Sequence, residues 1–190
     1  MVRVSAVEFD KLTQEQQRVY KEVAGTRSAF GGPYTVWIRQ PEIADVMNKV
    51  GDVLRVRGKL NKRLTELMVL IVAREWSCDY QWAVHEDPAV KAGLSRDVID
   101  AIRCGHLPKF DRDDEQLIYD LIVELLKTKK LRQETYDRAI ALLGEDLLIE
   151  LVTNAGRYTQ AAIVVNTFEV PTPGNRHPLT ETKAYTKAES

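Results

Sequence analysis

Residues 64–73, Leu-Thr-Glu-Leu-Met-Val-Leu-Ile-Val-Ala, hold one charged side chain, Glu66, in an otherwise apolar stretch. Leu64, Leu67, Met68, Ile71 and Val72 recur at three and four residues, the period of a helix face, and Asn61 is placed to cap it. Val69, Leu70 and Ala73 cover the other sides. A helix apolar nearly all round has to be enclosed by other elements. Its unbroken apolar run, Leu67 to Ala73, falls far short of the roughly 20 residues that cross a bilayer, so the rest of the chain must enclose it. Burying Glu66 there is costly and demands a partner. Arg63, Arg74 or another base is one answer; service as a proton donor is the other.

The remainder of the chain supplies the enclosure in the same period, and no run alternates long enough to rival it as a strand. A first helix over 12–24 opens with Thr13 and Gln16 in capping-box spacing and stops at Gly25. Residues 26–39, with Gly31-Gly32-Pro33, read as an irregular connector. Pro41 starts a helix to about Leu54. After Ser77 a helix runs to Ala92 and Gly93, and Ser95 opens another that Gly105 closes. Asp111, Asp113 and Asp114 precede a further helix that ends in Lys127, Lys129 and Lys130, acid first and base last as the helix dipole favours. Two more are expected over 133–143, ended by Gly144, and 147–168, where Leu151, Ala155, Tyr158, Ala162 and Val165 keep register. The fold class is therefore all-α, a single-domain bundle of about seven to eight helices over residues 1–170. The proline-bearing segment 171–190 forms an extended or mobile tail, or wraps a neighbouring subunit.

Charge and cysteine use exclude several functions. With 27 basic and 28 acidic residues there is no global attraction to nucleic acid or to an anionic membrane. The opening residues lack the apolar core of a secretory signal, which makes the cytoplasm the expected location. Two cysteines, Cys78 and Cys104, suit free thiols in a reducing compartment better than a disulfide framework. His85, His106 and His177 are far apart and no cysteine pair has ligand spacing, so no metal is expected.

Candidate chemistry gathers in residues 78–85, Cys-Asp-Tyr-Gln-Trp-Ala-Val-His. On a helix Cys78, Gln81 and His85 share one face. Cys78 at a helix start has unpaired N–H groups to stabilise a thiolate, although a buried, inert cysteine is the commoner case. Imidazole is the side chain that exchanges protons near neutral pH, which suits His85 to general acid or base work; a structural histidine is the alternative. Gln81, one turn earlier, can orient the ring, although a glutamine on a helix is usually just solvated. Tyr80 and Trp82 point away from the Cys78 face, toward the core or a subunit contact. Arg157, Tyr158 and Asn166 interrupt the last apolar helix and can complete a pocket, or satisfy one another.

Several of these motifs occur in the same order in a known family. Arg63-Leu64-Thr65-Glu66-Leu67, Tyr80 to His85, Ala92-Gly93-Leu94-Ser95, Gly156-Arg157-Tyr158 and Asn166-Thr167-Phe168 resemble the carboxymuconolactone decarboxylase family, which belongs with the alkyl hydroperoxidase D-like proteins. The resemblance spans about residues 31–174. Peroxidase members of that group carry a glutamate, Cys-x-x-Cys and a histidine four residues on. Glu66, Cys78 and His85 match, but Gln81 replaces the second cysteine and can neither form nor exchange a disulfide. The decarboxylase branch commonly has Tyr-Glu-Trp-x-x-His, and here too position 81 departs, a neutral amide in place of an acid.

The resemblance implies an alkyl hydroperoxidase D-like fold and a cofactor-free decarboxylation of a small carboxylated lactone or related cyclic acid. Under that reading His85 transfers the proton, Glu66 is its partner or the acid, and Gln81 and Cys78 complete the catalytic set. Tyr80, Arg74, Arg157, Tyr158 and Asn166 are the implied substrate contacts, with Arg74 and Arg157 anchoring carboxylates. It further implies self-association as a trimer or hexamer. The alternatives are a thiol-dependent peroxidase-like protein using Cys78, or a non-catalytic oligomeric scaffold of the same fold.

Overall fold

The computed structural model describes residues 3–26 and 30–179. Among them are eight α-helices and no strand. The helices are α1 (Gln14–Thr26), α2 (Tyr34–Trp37), α3 (Pro41–Arg55), α4 (Lys62–Glu75), α5 (Asp79–Lys91), α6 (Arg96–Arg103), α7 (Asp113–Thr128) and α8 (Gln133–Thr167). None of them is long and apolar enough to cross a membrane.

The described contacts form two compact units. One runs through Gly58 and takes in Ile163–Pro171; the other comprises Lys59–Ala162 and the segment from Thr172. In the first unit α3 packs against α1 and α2. The capping box closes as its spacing requires: Thr13 N donates to Gln16 Oε1 at 2.9 Å and Gln16 N to Thr13 Oγ1 at 3.3 Å. The connector expected to be irregular contains the single turn α2, because Gly31 and Gly32 accept from Tyr34 and Thr35 and Pro33 supplies a helical φ of −61°. Four residues are too few for a periodic signal. Positions 27–29 of that connector, and 180–190 of the expected tail, lie outside the described residues.

The second unit is built round α4, which packs against α5, α6 and α7 and is buried from Leu67 to Ala73. Its start is fixed twice. Asn61 accepts from Arg63 N at 2.9 Å, and Glu150 of α8 accepts from the backbone N of Lys59 and Leu60 at 2.9 and 3.0 Å. Arg63 then ties α4 to α7 by pairing with Asp114 at 3.2 Å and with the buried Glu115, whose carboxyl burial pushes up against the pull of Arg63.

Three helices of this unit close in the same way. At Ser77, Gly93 and Gly105 the backbone turns left-handed, and the amides of that residue and of the next donate to carbonyls of the last helical turn. Ser77 adopts φ +46° without the freedom of a glycine. Gly144, at φ 76° and ψ 167°, turns α8 sharply, in keeping with the two helices expected on either side of it.

The described part of the tail is held. The short turn Pro173–Asn175 packs on α5, Arg176 Nη2 donates to Ala83 O at 3.0 Å, and Leu179 N donates to Asp79 Oδ1 at 2.7 Å.

Candidate functional site

The turn that Ser77 makes after α4 sends the chain straight back as α5, with Cys78 at its N-cap. Glu66 and His85 are thereby brought face to face from neighbouring helices. His85 Nδ1 lies 2.6 Å from Glu66 Oε2, and the two side chains are 7% and 13% exposed. The required partner of Glu66 is thus His85, while Arg63 is engaged with α7. Paired with a carboxylate, which only accepts hydrogen bonds, Nδ1 would carry the hydrogen and the Nε2 of a neutral ring would be bare. Pairing at one nitrogen that frees the other is the arrangement of a general base.

Gln81, buried one turn before His85, donates its amide to the carbonyl of Val69 on α4 at 3.3 Å. That bond braces the two helices against each other and uses one amide hydrogen of two. Tyr158 of α8 meets the His85 ring edge-on, centroids 5.2 Å apart and planes at 89°. Arg157 lies over the Tyr158 ring at 5.0 Å.

Arg157 is 8% exposed, and its Nε and Nη1 have no hydrogen-bond partner among the described residues. One turn before it, Asn154 is 1% exposed and neither its Oδ1 nor its Nδ2 is bonded. A buried guanidinium and a buried amide without partners are costly. Sequence reasoning missed Asn154, although its spacing to Arg157 on an apolar helix was the available signal.

Cys78 is completely buried. Burial pushes its thiol up to about 11, outweighing the Gln81 and Tyr80 amides that would stabilise a thiolate. Of the two readings of Cys78, burial favours the buried, inert cysteine over the thiolate that a helix start would stabilise. Both cysteines are free. Tyr80 is half-buried beside Cys78. Arg74 lines a cleft with Ile71, Ser77, His106, Tyr119 and Lys127, to which neither Glu66 nor His85 contributes. Asn166 belongs to the first unit, where its carbonyl accepts from Glu169 N at 3.3 Å. No group of three or more His, Cys, Asp or Glu among the described residues is placed to hold a metal ion.

A model of the carboxymuconolactone decarboxylase family matches residues 41–104, the stretch that carries Glu66, Cys78, Gln81 and His85. No curated protein matches the chain. Among solved structures it is similar to an alkylhydroperoxidase AhpD core, an uncharacterized peroxidase-related protein from Ralstonia eutropha JMP134. The two share 14% identity over 90% of this chain and 92% of that one, with a TM-score of 0.75. That likeness shows the fold, and the family match covers the residues of the dyad. Together they show an AhpD-like fold and, over residues 41–104, a likeness to the carboxymuconolactone decarboxylase family.

Proposed function

We propose that the protein is a cofactor-free, decarboxylase-like lyase of the cytoplasm acting on a small carboxylated lactone or related cyclic acid. The observation that carries the reading is the 2.6 Å bond between His85 and Glu66. Loss of carbon dioxide from such a substrate leaves an electron pair that delocalises through a double bond onto the lactone carbonyl. The protein must stabilise that enolate-like charge and return a proton to carbon. His85 Nε2 takes up a proton from solvent and passes it to that carbon, which returns the ring to its neutral form, and Glu66 holds the ring and stabilises its charged form in between. The second amide hydrogen of Gln81 is free to orient the substrate. The guanidinium of Arg157 is suited to the charge of a substrate carboxylate.

A thiol peroxidase is less well supported by the same residues. Gln81 stands where the second thiol would be, and the Cys78 thiol is pushed up to about 11. The exposed Ile43, Val46 and Val53 on α3, with Val56 just after it, support self-association, with the trimer or hexamer to be read by light scattering.

The test is a screen of carboxylated lactones and related cyclic acids for carbon dioxide release, repeated with His85→Ala and Cys78→Ala. Release abolished by His85→Ala and kept by Cys78→Ala is the expected result. The opposite pattern, or peroxide reduction by the parent that Cys78→Ala removes, would replace the lyase reading with the thiol one.

A further inference from the structure

The cleft that takes up Arg74 has a volume of about 300 Å³ and lies where α4, α6 and α7 end. Its apolar lining is Ile71, Ile102 and Val123. Arg74, Lys127 and His106 stand round it, and the side chain of none of the three forms a hydrogen bond or ion pair with a described residue. Tyr119 adds a hydroxyl that burial, with the charges of Asp120 and Glu75, pushes up and so keeps as a donor at neutral pH. Against these donors the lining holds one carboxylate, Glu75.

Three helix C-termini by themselves attract basic side chains, and that attraction alone could account for Arg74 and Lys127. The caps argue otherwise at two of the three ends. At α4, Ser77 N and Cys78 N take the carbonyls of Arg74 and Ala73, and at α6, Gly105 N and His106 N take those of Ile102 and Ala101. Those carbonyls are met by backbone amides, and the cationic side chains keep their donors. An excess of free donors beside an apolar lining selects an anion with an apolar body.

We propose that this cleft is a second small-molecule site, separate from the Glu66–His85 dyad, which binds a carboxylate carried on a single apolar ring. The carboxylate pairs with Arg74 and Lys127 while the ring rests on Ile71, Ile102 and Val123. The probe is benzoate, titrated into the full chain by calorimetry, with inorganic phosphate and benzylamine as comparison ligands. Benzoate should bind, and Arg74→Gln and Lys127→Gln should each weaken it roughly tenfold, the loss of one charge-assisted bond. His85→Gln should change it by less than about twofold. Lys127 is exposed, so its variant tests the site without disturbing the fold. Four results would overturn the proposal: no benzoate binding, binding lost in His85→Gln but kept in Arg74→Gln, phosphate binding as tightly as benzoate, or benzylamine binding more tightly.

Discussion

Replacing Glu66 by glutamine keeps the shape of the side chain and an acceptor oxygen for His85 Nδ1 while removing the charge. The two groups are 2.6 Å apart and 13% and 7% exposed, so solvent screens the bond little. A hydrogen bond to a charged group contributes about 1.5–3 kcal/mol net and a neutral one about 0.5–1.5 kcal/mol, which puts the cost of Glu66→Gln at about 1–1.5 kcal/mol. With a urea dependence of about 2 kcal/mol per molar, the unfolding midpoint should fall by roughly 0.5–0.75 M at fixed protein concentration. Glu66→Ala should fall further, by an added 1–3 kcal/mol or so, because it leaves the buried imidazole N–H without an acceptor. Glu66→Gln at least as stable as the parent would refute the reasoning, since the bond would then owe nothing to charge.

With its thiol pushed up to about 11, Cys78 is thiolate in about one molecule in ten thousand at pH 7. An alkylating reagent should therefore modify the half-buried Cys104 well before Cys78, and mass mapping that finds Cys78 labelled first would contradict this. Bonds from Thr135 Oγ1 and from the backbone and side chain of Arg132 hold the Glu124 carboxyl down to about 2. Its folded value lies below the unfolded one, near 4.3, so the stability it lends is present above that value and lost as pH falls toward 2. Urea midpoints of Glu124→Gln should fall less steeply than the parent's over that range; parallel curves would remove Glu124 from the acid limb. Arg157→Met removes a buried cation whose Nε and Nη1 have no partner, so it should leave stability within about 1 kcal/mol of the parent or raise it while weakening binding of a carboxylate substrate. A loss of more than about 2 kcal/mol would mean that the guanidinium is structurally satisfied.

Local chemistry made much of the fold legible. Pro41, Asn61, Ser95 and Gly144 mark helix boundaries whatever surrounds them, because each acts through its own backbone or a bond a few residues away. The apolar circumference of α4 likewise foretold its central place. What depends on packing between helices was not legible. That Glu66 needed a partner followed from burial, and the family resemblance pointed to His85, but the residues alone left Arg63 open, which turns instead to Asp114 and Glu115, about 50 positions on. Cys78 shows the same limit: its cap position was readable, while the degree of burial that governs its thiol was not. Arg74 sits on the expected helix but serves a cleft formed with α6 and α7, a juxtaposition absent from its own neighbourhood in sequence.

The central claim is that Glu66 fixes the His85 ring with its hydrogen on Nδ1 and leaves Nε2 bare to exchange a proton. Nitrogen-15 spectra of the histidine rings, assigned with His85→Gln and taken near pH 8, read the tautomer directly. The structure calls for a protonated Nδ1 and an unprotonated Nε2 at His85, a preference that Glu66→Ala relaxes. A hydrogen on Nε2 with Nδ1 bare, unchanged by Glu66→Ala, would contradict it.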